Sequence, residues 1–161
     1  MFMSDVRFPA WKVVRPRAYA SLDDLLLALM FRGIAVADLA IEMLKEVKIL
    51  GEQKEMKLVS PSLEELGFAL DPRREDVYIR AEALGLGRVS RVGGVLALVE
   101  EDFPGAVDQW LPVGMDPIMA GGLPNVFSLC RTREGLFLGR RSAEPGERWH
   151  LQERCLFVQD A

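Results

Sequence analysis

The stretch Val126–Val158, VFSLCRTREGLFLGRRSAEPGERWHLQERCLFV, decides how the rest of the chain is read. It holds three apolar runs, Val126–Cys130, Leu136–Leu138 and Cys155–Val158, each short, β-branched or aromatic, and bounded by Gly, Pro or charge. Runs of that length and composition predict antiparallel strands. A tight turn separates the first two, and a long polar loop, residues 139–154, separates the last two. That loop carries Arg140, Arg141, Glu144, Glu147, Arg148 and His150, with Trp149 among them. A rigid sheet presenting a polar, aromatic-studded loop is a common construction for a binding site.

The charge of this stretch differs from that of the chain. Arg131 to Arg154 holds six Arg and four Glu, a positive strip in a protein of net charge −4. Arg supplies planar, forked donors for carboxylates, phosphates and aromatic faces, and Trp is a frequent hot-spot residue. Two roles stay open for Trp149: part of the contact surface, or a buried anchor that fixes a loop otherwise costly to order.

Upstream, Gly93-Gly94 precedes Val95–Val99, a continuous apolar run that suits a buried central strand. Glu100, Glu101 and Asp102 with Pro104-Gly105 read as an acidic hairpin tip. Trp110–Met115 reads as the return strand, and Pro112 places it at an edge or a bulge.

The first half is dominated by helical patterns. Residues Met1–Pro9 form a loose start and Trp11–Arg15 a strand stopped by Pro16. Ser21 caps a helix whose Leu22, Leu25, Leu26, Leu29 and Met30 follow one face, with Gly33 as its stop. Asp38 opens a second helix carrying Ile41, Leu44 and Val47. Gly51–Lys54 is a turn and Met56–Val59 a half-exposed strand. Ser60-Pro61 opens a single helical turn closed by Gly67. Asp71-Pro72 launches a longer helix with Val77, Ala81 and Leu84 inward. The expectation is one α+β domain over residues 1–161: a helical N-terminal half, then an antiparallel β meander, with 124–158 as the display region.

Composition narrows the function classes. A chain of 161 residues, 50% hydrophobic, can bury a proper core. The acidic balance predicts neither nucleic-acid nor membrane-surface binding. No apolar signal segment is read at the N-terminus and no run approaches a membrane span, so the cytoplasm is the expected address. There, Cys130 and Cys155 are read as buried, reduced thiols.

Enzymatic signatures are absent from the pattern. The single histidine, His150, lies in the polar loop without a nucleophile elbow around it. A zinc site would need His150, both cysteines and a carboxylate at spacings that fit no familiar pattern. The carboxylate pairs Asp23/Asp24, Glu64/Glu65 and Glu100/Glu101 sit at caps, surfaces or turns, and no glycine-rich phosphate loop is present. No cofactor is expected.

Several segments, in order and spacing, resemble a set of small, mostly uncharacterised bacterial proteins. They are Trp11-Lys12, SLEELGF (Ser62–Phe68), YIRAEALGL (Tyr78–Leu86), WLPVGMDPI (Trp110–Ile118), PNVFSL (Pro124–Leu129) and GLFL (Gly135–Leu138), then Pro145, Trp149, Arg154, Phe157 and Val158. Their C-terminal loop resembles the variable region of diversity-generating retroelement target proteins, in which adenine-directed rewriting scrambles the codons of surface residues. The resemblance implies a C-type-lectin-like fold and a protein or surface ligand. It makes Arg140, Arg141, Ser142, Glu144, Glu147, Arg148, His150, Leu151 and Glu153 the displayed positions, with Trp149 and Phe157 as scaffold. Glu144, Glu147 and Glu153 cannot be reached from an Asn codon by changing its first two adenines, which fits an undiversified relative or another template. Three functions follow: a display protein, an interaction or regulatory module with one fixed partner, and a small enzyme using His150.

Overall fold

The structure is a computed structural model that describes residues 8, 10–15, 17–48, 54–100 and 107–159. In chain order its elements are β1 (Ala10–Val14), α1 (Leu22–Phe31), β2 (Ala35–Val36), α2 (Asp38–Lys45), β3 (Met56–Val59), α3 (Arg74–Ala83), β4 (Leu86–Gly87), α4 (Gly93–Glu100), β5 (Trp110–Pro112), β6 (Ile118–Ala120), β7 (Leu123–Thr132), β8 (Gly135–Ser142) and β9 (Phe157–Gln159). Helices and strands are mixed, but the first half is not the helical block expected. Strands β1 to β3 interleave with α1 to α3 there, and α4 lies in the half read as a meander.

Two sheets result. One has the order β1-β3-β9-β4 and is antiparallel throughout. The other has the order β2-β8-β7-β5, with β6 also on β7, and is antiparallel except where β2 runs parallel to β8. The three apolar runs of the opening stretch therefore do not share a sheet. The first two pair as the β7–β8 hairpin, while the third, β9, crosses to the other sheet. The sheets meet where Gly114 N–H donates to the Leu156 carbonyl at 2.7 Å and Leu156 N–H donates to that of Pro112 at 3.0 Å. Strand β5, which contains Pro112, is an edge, where a missing N–H is tolerated.

Two apolar clusters fill the interior. The larger includes Leu25, Leu29, Met43, Leu44, Val95 to Val99, Phe127, Leu129 and Leu138. The smaller gathers Leu63, Leu66, Val77, Tyr78, Trp149, Cys155 and Phe157.

Local chemistry accounts for most boundaries. The Ser21 side chain accepts from Asp24 N–H at 3.1 Å, and Gly33 stops α1 at φ +72°. Where Ser60 was expected to cap, the capping box lies at Ser62, whose Oγ accepts from Glu65 N–H and whose N–H donates to Glu65 Oε1. It closes a turn rather than a helix.

The largest correction concerns Val95–Val99, which is helical in α4 and not a strand. Residues Val92 to Val99 are all buried, so the run has no polar face to reveal a period. Gly94 lets the helix approach the second sheet, for a β-carbon there would stand 2.8 Å from a Val113 methyl. Glu101–Gly105 of the expected acidic tip, Gly51–Gln53 of the expected turn, and Met1–Arg7 and Pro9 of the expected loose start lie outside the described residues. No helix among the described residues is long and apolar enough to cross a membrane.

Candidate functional site

The segment after β8 is held along its length by residues 61–75. Going down the chain, the carbonyls of Pro145 and Glu147 accept from Glu75 N–H (3.1 Å) and Arg74 N–H (2.8 Å). These donors are first-turn amides of α3, which no N-cap side chain satisfies. Trp149 N–H donates to the Pro72 carbonyl at 2.9 Å, and the Leu151 and Glu153 carbonyls accept from Glu64 N–H and Leu63 N–H. Cys155 N–H then donates to the Pro61 carbonyl at 3.1 Å. The polar loop is thus one half of a backbone zipper, and the other half is the two proline-marked turns upstream.

Side chains complete the attachment. Trp149 is fully buried in the smaller core, and its indole N–H finds no acceptor among the described residues. The Arg141 guanidinium covers the ring at 4.4 Å and also pairs with Glu153. Beneath them lies a polar group that sequence reasoning missed. Arg74 stacks on the Tyr78 ring at 4.2 Å, and the Tyr78 hydroxyl accepts from Met115 N–H and donates to the Met115 carbonyl. Burial, and then the nearby Cys155, push the Tyr78 phenol up to about 12, against the lowering effect of Arg74. Burial also drives the Cys155 thiol far above its ordinary range, although Arg74 and Arg141 oppose this. A thiol held neutral in this way is a packing group, not a nucleophile. Cys130 and Cys155 are both free and buried.

The residues expected to face a ligand therefore divide. Trp149, expected among the contact residues, is fully buried and offers no surface, as a buried anchor would. Arg141 and Glu153 are spent on each other, with side chains 20% and 23% exposed. Ser142, Glu147 and Leu151 are half-buried, and Leu151 N–H donates to Asp71 Oδ1. Arg140, Glu144, Arg148 and His150 are exposed. Arg148 donates to the Asp71 carbonyl at 2.8 Å, and His150 Nδ1 stands 3.3 Å from Asp71 Oδ2. Leu70, 81% exposed, adjoins Asp71 in the chain.

Arg148 and His150 thus meet at Asp71, which no pattern in the sequence linked to the loop, while Arg140 contacts Asn125 on strand β7. The His150 side chain is 80% exposed and has Asp71 as its partner. The described residues contain no cluster of His, Cys, Asp and Glu able to hold a metal ion. No protein-family model, curated protein or solved structure matches the chain.

Proposed function

We propose that the protein is a non-enzymatic binding protein whose contact surface is the outer edge of residues 139–154, with Leu70 and Asp71 beside it. One observation carries this reading. The backbone of the segment is fixed from Pro145 to Cys155 while Arg140, Glu144, Arg148 and His150 face solvent. Polar side chains on a pre-ordered backbone bind without the entropic cost of ordering a loop. The expected ligand is another protein or a surface ligand, met by mixed charge and one apolar side chain.

In its finer form this reading is a variable protein of a diversity-generating retroelement on a C-type-lectin-like frame. Residues near both ends of the described chain are tied together: Phe8 N–H donates to Gln159 Oε1 at 2.9 Å, and Gln159 Nε2 donates back to the Phe8 carbonyl at 3.3 Å. The alternative is an interaction module with one fixed partner. The Arg141–Glu153 pair favours it, because free exchange at either position strands the other charge.

Sequencing the DNA around the gene separates the two. An imperfect repeat of the codons for residues 135–158, differing mainly at adenines, establishes diversification, and its absence leaves the fixed-partner module. The contact surface itself is tested by placing a photo-crosslinking residue at Glu144 or His150 in living cells. One predominant adduct, missing when the crosslinker sits at Glu55, is the expected result. Equal labelling from all three sites removes the segment from the binding role.

A further inference from the structure

A second surface, independent of the loop, lies between α1 and α2. The sequence of α1, LDDLLLALMF, has more apolar residues than one buried stripe needs. Leu25 and Leu29 take the core, while Leu27, Met30 and Phe31 are 46%, 65% and 87% exposed. Single exposed apolar residues are ordinary. These differ because Leu27 and Met30 line a groove of about 610 Å³ whose other lining residues include Leu26, Ile34, Val36 and Ile41. Ile34 belongs to the main core, and Leu26 and Val36 pack against it, so the groove has a firm floor.

The rim is acidic. Asp23 lies in the lining itself, and Asp24, Asp38, Glu42 and Glu46 stand exposed on the two helices or their caps, against Arg32 and Lys45. That charge selects among occupants. A second copy docking by the same face would set carboxylates against carboxylates, and an anionic lipid surface would be repelled for the same reason. Along α1, Asp23 to Met30 spans about 10 Å, the distance over which a helix presents anchors at i, i+4 and i+7. We propose that this groove is the docking site for an amphipathic helix of a partner protein, with leucine-like anchors seated on Leu26, Leu27, Met30 and Ile41 and basic flanks meeting Asp23 and Asp38.

The probe is a fluorescein-labelled amphipathic peptide of about 16 residues, with Leu at helical i, i+3, i+4 and i+7 spacing and Lys on both flanks. Its control is the twin with Glu in place of Lys. The expected result is micromolar binding of the Leu/Lys peptide to the full chain, weakened about tenfold or more in the Glu twin and in Met30→Asp. Asp23→Asn should weaken it a few-fold and flatten its salt dependence. Circular dichroism of Met30→Asp should match the parent, since the side chain is largely exposed. If neither peptide binds at millimolar concentration, the proposal fails. Equal binding of the twins, or binding unchanged by Met30→Asp, also overturns it. Sedimentation that shows a dimer abolished by Met30→Asp would assign the groove to a second copy instead.

Discussion

The Arg141 guanidinium carbon lies 4.4 Å from the centre of the Trp149 ring, and the same guanidinium pairs with Glu153. One strand residue thereby covers the anchor of the following segment and fixes the segment's far end. Cation–π contact and a charge-assisted pair reinforce each other because both need the planar fork of Arg. Stability of the C-terminal segment therefore resides in side chains that a purely surface reading would have exchanged freely.

Trp149→Ala should cost about 3–5 kcal/mol, the range for deleting a buried large aromatic. In a chain of this size each kcal/mol corresponds to roughly 2–4 °C, so thermal denaturation should show a fall on the order of 10 °C. A change of a degree or less would mean that the indole contributes little to the core.

Arg141→Lys keeps the charge and loses both the stacking plane and the fork, and should cost about 1 kcal/mol. A urea double-mutant cycle with Arg141→Ala and Glu153→Ala should give a coupling of about 1 kcal/mol, since the two side chains are mostly buried. Additive single effects would show that the pair stands in the structure without contributing energy.

Exchanging Arg140, Glu144 and His150 together for Ser should move the melting temperature by less than about 6 °C, as each change costs within about 0.5 kcal/mol. Only these exposed positions carry the expectation of free exchange. A large loss would place them in the scaffold, and the proposed contact surface would lose its outer residues.

How much of this could be read in the sequence depends on which signals are local. Ser21 and Gly33 mark α1 by capping chemistry within four residues, Asp38 marks α2 as an acidic first-turn residue, and composition marks the β7–β8 hairpin. The zipper between residues 61–75 and 145–155 could not be read, because its bonds join backbone atoms across some 80 positions and leave no side-chain signature. Asp71 reads as a helix start for that reason, although the helix begins at Arg74. Val95–Val99 misled for another reason: a segment buried on every side carries no periodicity, and β-branched composition tipped the reading toward strand. Trp149 was undecided since burial of one aromatic depends on Arg141 and the smaller core, both supplied by tertiary structure.

Tyr78 makes the pH dependence specific. Its phenol is held neutral up to about 12, against 10.0 ordinarily. Between those values the unfolded chain releases this proton first, so the folded state loses its advantage as pH rises. The contribution is fully present below about pH 10 and disappears through about pH 12, amounting to about 2–3 kcal/mol. Urea denaturation at pH 9 and pH 11.5 should show the fall, and Tyr78→Phe should reduce the slope. An unchanged slope in Tyr78→Phe would transfer the effect to Cys155, whose thiol is raised in the same direction.

Gly114 tests the junction of the two sheets. A β-carbon there would stand 2.3 Å and 2.6 Å from Phe157 ring carbons and 2.8 Å from the Leu156 carbonyl oxygen. The ring is buried and cannot swing away, and the carbonyl is engaged by Gly114 N–H itself, so neither can yield cheaply. Gly114→Ala should therefore cost about 2–4 kcal/mol, beyond the 1–3 typical of an overpacked core, because the backbone contact of both sheets is displaced. Gly146 provides the control. Nothing lies within 4 Å of its β-position and its φ is ordinary, so Gly146→Ala should be neutral or slightly stabilising. Equal melting temperatures for the two variants would show that the sheets do not meet at Gly114 as closely as 2.7 Å.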